Sequence, residues 1–105
     1  MGDEDLIFSI LQDYKEKLPV PNNEYDYFEE YTYSKWAAQE LEVYILSHCH
    51  LTPKQAVSSF RDNMLALCEQ KFRKNVIFGK SETYRMYSIA YDVASEILAM
   101  LKSYI

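Results

Sequence analysis

A chain of 105 residues, 49% hydrophobic and 15% aromatic, suits one domain over 1–105 and argues for a folded protein rather than a disordered one. Two glycines and three prolines are too few for a turn-rich β fold and favour long helices. The net charge of −5 lacks the strong positive balance of nucleic-acid-binding domains, so nucleic acid is not the expected partner.

The amino terminus, MGDEDLIF, is acidic and has no long apolar run, so no signal peptide is expected. Leu6 stands where a myristoylation pattern needs Ser or Thr. No run of about 18 apolar residues occurs, so no membrane association is expected and the location reads as cytoplasmic.

Asp3, Glu4 and Asp5 suit the positive end of a helix dipole. Leu6, Ile7, Ile10, Leu11, Tyr14 and Leu18 follow as one apolar stripe, predicting a short first helix over roughly 4–17. Pro19 and Pro21 then force an extended connector. Asn23 can cap a second helix, and Phe28, Tyr31, Ala38, Leu41, Ile45 and His48 predict it as one long element over 24–50. Tyr25-Asp26-Tyr27 and Tyr31-Thr32-Tyr33 alternate with period two, which leaves a later start at Ser34 open.

Thr52-Pro53 is the clearest punctuation, with Thr52 as cap and Pro53 at the first helical position. Val57, Phe60, Met64, Leu67, Cys68 and Phe72 predict a third helix to Lys74 or Phe78. Gly79 suits the residue after a helix end, and Ser81 caps the last helix. That helix, 81–105, is apolar at Tyr84, Tyr87, Ala90, Tyr91, Ala94, Ile97, Leu98, Leu101 and Tyr104. Met86, Val93 and Met100 add a second stripe. An arc this wide belongs to the central helix of a bundle or to a homodimer interface. The expected fold is all-α: an up-and-down antiparallel four-helix bundle of one short and three long helices.

Candidate chemistry is sparse. His48, Cys49, His50 and Cys68 are metal-binding types, but adjacent residues on a helix do not share a face. Cys68 also lies 16 residues beyond the turn at Thr52, roughly 24 Å along a helix, which separates it from Cys49. The run Val76 to Ser81 resembles the tail of a phosphate loop, but Lys74 stands where that pattern needs its first Gly. No Glu-x-x-His pair for a di-metal bundle occurs. The expectation is therefore no catalytic residue, no metal and no cofactor.

Charge is divided along the chain. Residues 1–50 hold eleven acids and three bases, and residues 51–105 hold eight bases and five acids. Attraction between the two halves of one bundle accounts for such a pattern, as does an acidic face that meets a basic partner. The partner face falls on Tyr25, Tyr27, Glu29, Glu30, Tyr31, Tyr33 and Trp36, since Tyr and Trp dominate interface hot spots and carboxylates steer a basic partner. In gross character, small, acidic, helical and tyrosine-rich, the chain is like inhibitory or immunity and antitoxin-type proteins. The leading expectation is a non-enzymatic protein-interaction module for a partner with a basic surface. The alternatives are nucleic-acid or anion binding at Lys71, Arg73, Lys74, Lys80 and Arg85, and a structural homo-oligomer joined through the 81–105 helix.

Overall fold

The computed structural model describes the backbone of residues 3–18, 28–78 and 82–104, and within them the side chains of 5–18, 30–69 and 85–103. The fold is an all-α up-and-down bundle of four helices: α1 (Asp3–Lys17), α2 (Phe28–Ser47), α3 (Pro53–Phe78) and α4 (Glu82–Tyr104). Among the described residues there is no strand. The short first helix has 15 residues, and the others have 20, 26 and 23.

Helix α4 is the post of the bundle. It packs on all three other helices, most extensively on α3 and then on α2, while α1 and α3 barely meet. Of the two diagonal pairs, α2 and α4 therefore meet far more extensively than α1 and α3. Small residues permit that close approach: Ala37 and Ala38 of α2 and Ala90 and Ala94 of α4 all lie in the core. Ile97, Leu98 and Leu101 continue the α4 seam and join Ile7, Ile10 and Leu11 of α1, Leu41 and Ile45 of α2, and Val57 and Phe60 of α3 in one buried cluster. The second apolar stripe of α4 divides: Val93 is buried, whereas Met86 and Met100 are half-buried.

The helix ends follow local chemistry. The Gln55 amide donates to Thr52 Oγ1 at 3.2 Å, and the Thr52 amide donates to Gln55 Oε1 at 3.0 Å. This reciprocal capping box supplies partners for two otherwise orphaned N–H groups at the start of α3. Lys15 and Lys17 occupy the last turn of α1, where cations meet the negative end of the dipole.

Helix α2 departs from the expected span at its carboxyl end. It stops at Ser47, and His48 to His50 form a turn. The His48 amide is shared between the Tyr44 and Ile45 carbonyls at 3.0 and 3.3 Å, and the Leu51 amide donates to the His48 carbonyl at 2.9 Å. These tighter bonds close the helix before the histidines. At the other end α2 is helical from Phe28, six residues before the alternative start at Ser34. The expected start at 24, the caps at Asn23 and Ser81, and Gly79 lie outside the described residues.

Candidate functional site

A pocket of about 720 Å³ opens between α1, α2 and α4. Its volume falls within the range of small-ligand sites. Ile10, Leu18 and Met100 give it an apolar lining; Tyr14, Tyr31 and Ser34 add two phenol rings and a hydroxyl. Among the described lining residues, Asp13, Glu30 and Glu96 bring three carboxylates, one from each helix, against the single ammonium of Lys17. The wall charge is therefore negative.

Helical spacing explains how the chain brings these groups together. Asp13, Tyr14 and Lys17 lie within one turn of α1, Glu30, Tyr31 and Ser34 within one turn of α2, and Glu96, Met100 and Ser103 at spacings of four and three on α4. The α2 stripe passes from Ala38 and Ala37 to Ser34, which is 6% exposed and the one buried polar residue described. A serine there is too small to fill the space between helices that a Leu or Ile would occupy.

Tyr14 is the centre of the pocket electrostatics. Burial pushes its phenol pKa above the ordinary 10.0, and Glu96, followed by Glu30 and Asp92, pushes it the same way. A side-chain hydrogen bond with Ser34 offsets part of that shift. The Tyr14 phenol thus stays protonated at neutral pH, in the form that can donate a hydrogen bond. The Ser103 hydroxyl is engaged by its own helix, donating to the Met100 carbonyl at 2.7 Å. Among the described residues no buried side-chain polar atom lacks a partner.

The expected acidic aromatic face is divided by the bundle. Glu30 is exposed and Tyr31 half-buried, and both line the pocket. Lys35 Nζ sits 5.9 Å from the Tyr31 ring centroid, within reach of a cation–π contact. Tyr33 and Trp36 are half-buried but do not line the pocket. Trp36 packs on the core and meets Tyr87 of α4 edge-to-face at 6.4 Å. Tyr25 and Tyr27, and the side chain of Glu29, lie outside the described residues.

Lys71, Arg73 and Lys74 fall on the last turns of α3, with side chains outside the described set, as is Lys80. Arg85 is exposed on the first turn of α4. Cys49 is exposed and Cys68 half-buried, and neither is in a disulfide. Among the described residues no group of three His, Cys, Asp or Glu side chains converges as a metal site requires. No described helix is long and apolar enough to cross a membrane. The most exposed large apolar side chains described are Val43 and Leu46 of α2 and Leu65 of α3, so this distribution gives no support to a dimer through α4.

Sequence reasoning reached Glu30 and Tyr31 but missed Asp13, Tyr14, Lys17, Ser34 and Glu96 as members of one site. The available signal was Ser34, a small polar residue on the stripe that continues as Ala37, Ala38 and Leu41. No protein-family model matches the chain, and no curated protein or solved structure matches it.

Proposed function

We propose that the chain is a non-enzymatic protein-interaction module that engages a basic partner through the acidic, tyrosine-bearing end of α2. The observation that carries this reading is the placement of Glu30 and Tyr31 on the rim of a pocket whose other charged walls are Asp13, Glu96 and Lys17. A concave site with aromatic walls offers a partner desolvated contact area, and its surplus carboxylates favour cations during encounter. Tyr14, held in its protonated form, adds a hydrogen-bonding group without suggesting proton-transfer chemistry. An inhibitor or immunity-type protein, covering a basic site on its target, is the concrete form of this proposal.

The test is paired affinity capture from the native host. Wild-type chain and a Glu30→Lys, Tyr31→Ala variant serve as baits, with circular dichroism confirming that both fold. The proposal expects a basic protein retained by the wild type, released by moderate salt and lost from the variant. Equal retention by both baits would reject the α2 face as the recognition surface.

A further inference from the structure

We infer that the pocket between α1, α2 and α4 takes an arginine side chain of the partner, seating its apolar stem inside and its guanidinium among the rim carboxylates. This rests on the protein-binding reading above and names the group that enters the site.

The lining has the two parts such a side chain needs. Ile10, Leu18 and Met100 supply apolar surface for a three-carbon stem. Asp13, Glu30 and Glu96 supply acceptors from three different helices, so a cation entering the pocket meets negative charge on several sides. Lys17 is the one cation among the described lining residues, so negative charge is in surplus there. A lone surface carboxylate is solvated and selects little; carboxylates around a concave apolar site select a long cation over a small one.

Arginine fits these walls better than lysine. Its planar guanidinium presents five donors in a fixed fork, so it can bridge carboxylates that a point-like ammonium meets one at a time. It also stacks on aromatic rings, and Tyr14 and Tyr31 both line the pocket. Glu96, Glu30 and Asp92 all push the Tyr14 phenol pKa in the same direction, upward.

The other occupants fit less well. A phosphate or carboxylate ligand meets three carboxylates. A purely apolar ligand leaves the charged rim without partners, and a hydrated metal ion makes no use of the apolar wall.

The probe is N-acetyl-arginine amide, titrated into the 15N-labelled full chain and followed by amide chemical shifts. N-acetyl-citrulline amide, which has nearly the same shape without the charge, is the control. N-acetyl-lysine amide tests the choice of guanidinium over ammonium. The inference expects saturable shifts centred on Tyr14, Ser34, Glu96 and Met100, with a dissociation constant of about 1 mM. Lysine amide should bind about threefold more weakly and citrulline amide at least tenfold more weakly. Glu96→Gln and Glu30→Gln should each weaken the arginine probe about two- to fivefold.

Ser103→Trp, at an exposed position on the pocket wall, should block the probe while leaving the helical spectrum unchanged. Shifts scattered over all acidic surfaces, or equal binding of citrulline amide, would overturn the inference. The outcomes also separate the two proposals. A captured partner that ignores Ser103→Trp removes the arginine-in-pocket claim and leaves the α2 face standing. Arginine-amide binding without a captured partner that depends on Glu30 and Tyr31 removes the α2 reading and leaves the pocket chemistry.

Discussion

Two half-buried tyrosines of this bundle each hydrogen-bond to a serine, and the contrast between them separates structural from functional polarity. Tyr44 of α2 pairs its hydroxyl with Ser59 of α3 at 2.8 Å. His48 stacks on its ring at 3.9 Å between centroids, and Phe60 meets it edge-to-face at 5.7 Å. His48 Nδ1 lies 2.8 Å from the Tyr44 carbonyl, and the Thr52–Gln55 capping box stands a few residues on. The polar groups at that end are occupied with one another. Tyr14 has the same kind of serine partner, yet its surroundings are carboxylates and open volume. A Tyr–Ser pair is by itself a joint between helices; unmatched charge and space are what make one of the two a candidate for recognition.

The largest expected effect tests whether the pocket is space or poorly packed core. Leu101 is fully buried on α4, and the adjacent Met100 lines the pocket half-buried. Leu101→Ala should cost about 2–5 kcal/mol in urea unfolding, and Met100→Ala about 1 kcal/mol or less. Equal costs would show that the Met100 side is packed as tightly as the core, which would break the contrast.

At the closed end, Thr52→Ala should cost about 1 kcal/mol by removing one half of the capping box. Binding of arginine amide should be untouched by it. A change in that binding would mean that the two ends of the bundle are coupled.

The tyrosines themselves are next. Tyr44→Phe removes the Ser59 partner and should cost about 1 kcal/mol at neutral pH. Tyr14→Phe should be distinguished by its pH dependence. The folded pKa of Tyr14 lies above the ordinary 10.0, so the folded chain keeps a proton that the unfolded chain has begun to release. The associated stability is complete below pH 10 and is lost as pH rises through the folded value. The stability gap between wild type and Tyr14→Phe should therefore be constant below pH 10 and shrink above it, read by urea unfolding across that range. A gap that stays constant would remove the negative environment assigned to Tyr14.

The smallest effect concerns the ion pair that ties α1 to α2. Lys15 Nζ lies 2.9 Å from Glu42 Oε2, and both groups are partly exposed. Glu42→Gln should cost about 0.2–1 kcal/mol, less in salt, without altering pocket binding.

The bundle was legible because its signals are local and periodic. Thr52-Pro53 set the start of α3, and the stripe Ala90, Ala94, Ile97, Leu98 and Leu101 marked α4 as the post. The end of α2 was less legible, since His48 continues the apolar spacing while its amide is shared by two carbonyls. The pocket was hardest to read. Its carboxylates come from positions 13, 30 and 96, and no periodicity on one helix reports which residues of three helices converge. Likewise the tyrosine-rich run reads as one face in sequence, but helical geometry sends Tyr31 to the pocket wall and Trp36 against Tyr87.

The central claim is that recognition lies in the pocket and not in negative charge at large. Two double variants with equal charge change test it: Glu30→Gln with Glu96→Gln on the pocket wall, and Glu40→Gln with Glu69→Gln at exposed positions that do not line it. Titrated with N-acetyl-arginine amide at fixed ionic strength, the pocket pair should lose about tenfold in affinity and the control pair less than twofold. Equal losses from the two pairs would contradict the account and assign the attraction to the acidic surface as a whole.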